Sequence, residues 1–207
     1  MSEAATVQAP VHPEAAVEPV QSPLTPDSMG KLGMWLFLAA DAMTFGAAIA
    51  AYGALRIGNI NWPVPSSILG IPSTAVMTFV LLCSSLTMVE ALSAIKRGNQ
   101  SRFRLFLALT VLGGLIFLGL QAREWTHLIG TEGLSIKTSL FSATFFILTG
   151  FHGCHVFGGV VLLSVILLRA MAGRIDHSKY GLVEVAGLYW HFVDLVWILI
   201  FTFVYLI

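Results

Sequence analysis

The chain has 207 residues, of which 57% are hydrophobic and only 11% charged, with 11 basic residues balancing 11 acidic ones. Soluble domains carry about 25% charged residues, so this chain is too poor in charge to cover a soluble surface and reads as an integral membrane protein. With no net charge and no basic patch interleaved with aromatics, nucleic acid is excluded as a partner.

Residues 1–29 hold five of the eight prolines and four acidic residues, with no Lys or Arg. Such a stretch buries too little apolar surface to offset its ordering entropy, and we expect a disordered Pro/Ala-rich tail. It lacks the basic start of a signal peptide, and the first apolar run begins late and is long. Five continuous apolar segments follow, at 32–55, 73–95, 104–128, 139–170 and 181–207. Each is long enough to cross about 30 Å of hydrocarbon at about 1.5 Å per residue. The runs do not alternate, so strands of a barrel are not indicated. The expected fold is all-α: a bundle of five transmembrane helices over 30–207.

The connections are punctuated. NINWPVPSSILGIP at 59–72 holds three prolines; KRGNQSRFR at 96–104 is a basic turn; GTEGLSIK at 130–137 and AGRIDHSKYG at 172–181 are polar loops. With alternating spans, eight basic residues fall on one side (Lys31, Lys96, Arg97, Arg102, Arg104, Arg169, Arg174, Lys179) and three on the other (Arg56, Arg123, Lys137). The positive-inside rule then makes the N-terminus cytoplasmic and places the C-terminus outside. Cys83 and Cys154 lie in separate apolar segments and are read as small buried residues rather than as a disulfide.

Ionisable groups at membrane depth are costly and usually face the bundle interior. Here they are Asp41 in the first span, Glu90 in the second, Glu124 and His127 in the third, His152 and His155 in the fourth, and Glu184, His191 and Asp194 in the fifth. The pairs Glu124/His127, His152/His155 and His191/Asp194 are each three residues apart, so each pair shares a helix face. The fourth and fifth spans are joined by a short turn, and their polar faces can meet at mid-membrane. Three chemistries fit such residues. Glu124-Trp125-Thr126-His127 is half of a di-iron carboxylate motif, but no second E-x-x-H exists. His155 and His191 on facing helices could ligate a haem, and HGCH with His191 could hold zinc or copper. The third reading is an interhelical polar network linking Glu124, His127, His152, His155, Glu184, His191 and Asp194, with Gly150, Gly153, Gly158 and Gly159 letting a neighbouring backbone come close.

Five stretches, one per span and in order, resemble a known family. TGFHGCHVFGGVVLL (149–163) and LYWHFVDLVWILIFTFVYL (188–206) are similar to the two signature helices of subunit III of the haem–copper respiratory oxidases. GMWLFLAADAMTFGAAIAAY (33–52), LLCSSLTM (81–88) and LGGLIFLGLQAREWTHL (112–128) resemble its other conserved elements. The resemblance implies an accessory subunit of a proton-pumping oxidase that reduces O2 to water, in the short five-helix bacterial form, in the cell inner membrane. It implies no cofactor on this chain. Haem and copper would reside in partner subunits: a catalytic subunit I and an electron-accepting subunit II, with a small subunit IV as a further partner. Phospholipid would lie in the cleft of the bundle. The family usually has Glu where this chain has Asp41, and Asp41 and Glu90 would support lipid binding or proton uptake. The donor, cytochrome c or quinol, is not readable, although cytochrome c is preferred. Two rivals stay open at this point: a relative serving a nitric oxide reductase, and a stand-alone haem or metal protein using His152, His155 and His191.

Overall fold

The computed structural model describes residues 29–60 and 62–207; the expected tail falls outside them except for Met29, which begins the first helix. The described residues are helical, with no strand among them. The helices are α1 (Met29–Ile57), a single turn α2 (Pro65–Ile68), α3 (Ile71–Lys96), α4 (Gln100–Gly130), α5 (Leu140–Met171) and α6 (Tyr180–Ile200). A 3₁₀ turn, His177–Lys179, leads into α6, and a wider π turn, Phe201–Leu206, continues it. Five of these helical stretches are long and apolar enough to cross a membrane.

Local chemistry sets the boundaries. Asn99 caps α4 by accepting from Arg102 N, so α4 starts in the polar stretch Gln100-Ser101-Arg102, ahead of the apolar run. Ser139 and Ser142 form a reciprocal capping box at the start of α5. Pro72 sits in the first turn of α3, where its missing N–H costs nothing. Both α3 and α5 end on a left-handed glycine, Gly98 at φ 72° and Gly173 at φ 71°, and the next residue reaches back to close the turn. The prolines of the 59–72 connection did not suggest a helix, yet Pro65 opens α2.

α6 is the central element: it packs on α1, α3 and α5, while α4 packs on α3 and α5. α1 packs mainly on α5 and α6, and most of its surface is uncovered. Inside lipid no hydrophobic force draws helices together, so close packing and hydrogen bonds must do so. Trp190 is the clearest case. Its indole lies across Gly114 of α4 and Gly159 of α5, where an added Cβ would come within 2.6 and 2.8 Å of the ring. Its Nε1 donates to Ser84 Oγ of α3 at 3.1 Å, so one side chain of α6 joins three helices. Gly113 performs the same service for Ser84, and Gly150 for Trp125. The cysteines run against expectation: Cys83 and Cys154 are both exposed, on outward faces of α3 and α5. Small apolar residues suit a lipid-facing surface as well as a core.

Candidate functional site

The polar residues singled out in the sequence do not form one network; they fall into separate groups at different levels of the bundle. At the end of the bundle away from the basic turns Glu124 is buried on α4. Thr74 Oγ1 donates to its Oε1 at 3.1 Å, and Tyr205 O–H donates to its Oε2 at 3.3 Å, tying α3, α4 and the π turn. His127 is exposed and lines a pocket of about 360 Å³ beside Glu124 and Arg123. Nearby, the Arg56 guanidinium donates to the carbonyl of Ile207, joining the end of α1 to the end of the π turn.

One turn of separation divides the two histidines of α5. His152 is fully buried in an aromatic box, stacked on Trp197 with centroids 4.9 Å apart and met edge-on by Phe117 at 5.7 Å. Neither of its ring nitrogens has a hydrogen-bond partner. Beside it, Gln121 Nε2 donates to Thr149 O at 2.9 Å, and Trp197 Nε1 donates to Thr78 Oγ1 at 2.9 Å.

His155 instead turns toward α1. Its Nδ1 is 2.7 Å from Phe151 O, and its Nε2 is 3.3 Å from Asp41 Oδ2. A carbonyl oxygen only accepts, so Nδ1 carries a hydrogen. Nε2 faces the carboxylate at ion-pair distance, although Asp41 Oδ2 makes no hydrogen bond among the described residues. Tyr189 O–H, from α6, donates to His155 O at 2.9 Å and closes this group.

His191 does not meet the fourth span, as the short turn suggested; it faces α3. Its Nδ1 is 2.6 Å from Ser85 Oγ, and Asp194, three residues on, is buried. At the basic end Glu184 is met by Lys31 at 3.4 Å and Lys96 at 3.7 Å, which brings the start of α1, the end of α3 and the start of α6 together. Glu90 is exposed on α3, and Arg97 approaches it at 3.9 Å. Sequence reasoning missed Thr74, Ser85, Tyr189 and Tyr205, because hydroxyls cost little in a membrane and carry no spacing signal.

No group of three or more His, Cys, Asp or Glu among the described residues is placed to hold a metal ion. A groove of about 910 Å³ lies between α1, α5 and α6 at the basic end. Met34, Leu162 and Ile166 line its apolar part, and Arg169, Arg174 and Lys179 stand around it. In the same turn Ser178 donates to Asp176 at 2.6 Å and holds that exposed carboxyl below the usual carboxylate range. A groove with an oily body and guanidinium groups at one end suits an amphiphile with an anionic head.

Comparison with known proteins gives the family. The family described as cytochrome c oxidase subunit III matches residues 25–207. Cytochrome c oxidase subunit 3 of Alkalihalophilus pseudofirmus is 36% identical over 198 residues, 95% of this chain and 92% of the relative. Cytochrome c oxidase subunit 3 of Corynebacterium diphtheriae is 37% identical over 183 residues, 87% of this chain and 89% of the relative. A probable quinol oxidase subunit 3 of Staphylococcus aureus is 33% identical over 180 residues, 86% of this chain and 89% of the relative. The five motif-bearing stretches thus lie on the five membrane-length helices of a chain that belongs to the cytochrome c oxidase subunit III family.

Proposed function

We propose that this chain is the accessory, non-redox subunit III of a proton-pumping haem–copper terminal oxidase that reduces O2 to water. It sits in a bacterial plasma membrane, N-terminus inside and C-terminus outside. Its work is mechanical: it steadies the catalytic subunit I, alongside an electron-accepting subunit II and a small subunit IV, and it holds phospholipid. Haem and copper reside in those partners. The observation that carries the reading is how the signature residues are used. Gly159, Tyr189 and Trp190 join α5, α6, α4 and α3 to one another, and His155 joins α5 to α1. The convergence of Lys31, Lys96 and Glu184 puts the basic-rich ends on one side of the bundle, which supports the orientation. Relatives named cytochrome c oxidase subunits favour cytochrome c as donor; the Staphylococcus relative's name favours quinol as the second reading.

Gentle solubilisation of the membrane tests this. The chain should purify with haem, copper and phospholipid, and the complex should oxidise reduced cytochrome c in preference to quinol. Replacing both Arg169 and Arg174 with Gln should lower the tightly bound phospholipid severalfold, read by lipid mass spectrometry, with haem content kept. A chain that emerges free of any haem protein overturns the proposal; unchanged lipid overturns the groove as the lipid seat.

A further inference from the structure

Arg123, Glu124 and His127 line one cavity, and their charges suit no ligand of a single sign. The cavity, about 360 Å³, lies between α2, the start of α3 and the end of α4, at the opposite end of the bundle from the basic groove. Ile68, Leu69, Leu120 and Leu128 form its apolar wall. Glu124 is 9% exposed and anchored by Thr74 and Tyr205, one hydroxyl to each carboxylate oxygen. Each of those oxygens has two lone pairs, so Glu124 can accept a further hydrogen from the cavity. The Arg123 guanidinium and the His127 ring pair with nothing among the described residues.

Depth decides what can reach these groups. α4 has 31 residues, about 46 Å at about 1.5 Å per residue. Centred in the bilayer, it overshoots a hydrocarbon layer of about 30 Å by about 8 Å at each end. Arg123 to His127 therefore stand where acyl chains give way to head groups. A lone phosphate there would meet the guanidinium but also the Glu124 carboxylate. A lone ammonium would meet the carboxylate but also the guanidinium. A group that carries both charges on one short linker satisfies both. A choline head has no N–H to give a carboxylate, and quaternary ammonium is held by aromatic faces; no Phe, Tyr or Trp lines this cavity. A primary ammonium has three hydrogens to donate.

We propose that this cavity seats the head group of phosphatidylethanolamine, in the leaflet opposite the basic groove, with its ammonium on Glu124 and its phosphate on Arg123 beside His127. It is a second lipid seat with a different head-group chemistry, and it needs the membrane placement of the chain but not the oxidase role.

The test uses the full chain, purified from its membrane with whatever it carries and stripped of lipid by detergent washing. It is then equilibrated in micelles holding equal amounts of phosphatidylethanolamine, phosphatidylcholine and phosphatidylglycerol, and the lipid retained per chain is read by mass spectrometry. Phosphatidylethanolamine should be retained over phosphatidylcholine. Arg123→Gln should lower its retention about fivefold, the upper range for an exposed charge pair, and Arg123→Lys, which keeps the charge, should retain most of it. Arg169→Gln with Arg174→Gln should lower phosphatidylglycerol and leave phosphatidylethanolamine unchanged, which separates the two seats. Glu124→Gln should reverse the preference toward phosphatidylglycerol, because the cavity then keeps positive charge alone. Equal retention of phosphatidylethanolamine and phosphatidylcholine overturns the proposal, as does unchanged retention in Arg123→Gln. Displacement of the lipid by inorganic phosphate overturns it in favour of a soluble anion, and one zinc ion per chain, lost in His127→Ala, overturns it in favour of a metal. A chain that purifies without haem leaves these readings in place and counts only against the oxidase role.

Discussion

Gly114→Ala should destabilise the bundle by about 1–3 kcal/mol, the usual cost of overpacking a filled interior. A Cβ there would sit 2.6 Å from Trp190 Cη2 and 2.6 Å from Val160 Cγ2. Neither obstacle can swing aside. Trp190 is 1% exposed and tethered by its indole N–H to Ser84, and on the other side of its ring lies Gly159. To admit the methyl group, α4 must move off α5 and α6, which gives up dispersion contacts along the whole seam. In lipid those contacts and the hydrogen bonds are the main attraction between helices, so the loss is felt in full. Gly119→Ala, in the same helix with nothing within 4 Å of its Cβ, is the control. It should change stability by no more than about 1 kcal/mol, and in the favourable direction, since Ala is the better helix former. Adding Trp190→Phe to Gly114→Ala should recover part of the loss, because the smaller ring vacates the contested space. Unfolding of the purified chain in mixed micelles by added denaturing detergent reads all three; equal effects of the two glycine substitutions would refute the packing account.

The helices were legible in the sequence because continuous apolar length has one good solution in a bilayer. Their ends were less so. Gln100, Ser101 and Arg102 look like a turn by hydropathy, but Asn99 caps them into α4. The single turn at Pro65–Ile68 and the π turn at Phe201–Leu206 leave no periodic mark in so short a stretch. The polar residues could be found, since each is expensive at depth, but their partners could not. Residues three apart on a helix differ by about 60° around its axis. That offset is enough to put His152 inside the aromatic box and aim His155 at α1. The rotation of α6, which directs His191 to Ser85 rather than to α5, is set by packing of Trp190 and Trp197 against residues far away in sequence. Cys83 and Cys154 show the same blind spot, because hydropathy does not distinguish the core from lipid.

The Asp41–His155 pair should respond asymmetrically to substitution. In Asp41→Ala the imidazole loses a neighbour but keeps its hydrogen bond from Nδ1 to Phe151 O and needs no charge. The cost should stay near that of one membrane hydrogen bond, about 0.6–1.7 kcal/mol. In His155→Leu the carboxyl of Asp41 is stranded, since His155 Nε2 is the cation-capable group beside it and the residue is 8% exposed. Removing one partner of a buried ion pair costs about 3–5 kcal/mol, because the other charge is left uncompensated. His155→Leu should therefore destabilise by about 3–4 kcal/mol, twofold or more beyond Asp41→Ala. The sign of the double variant is the sharper test: adding Asp41→Ala to His155→Leu should restore most of the stability, because no unpaired acid is left. Asp41→Asn should be nearly silent, since a neutral amide leaves no uncompensated charge and can donate to Nε2. Denaturing-detergent titrations at pH 7 on the four variants close the cycle. A double variant weaker than His155→Leu alone would mean that the two side chains pack independently.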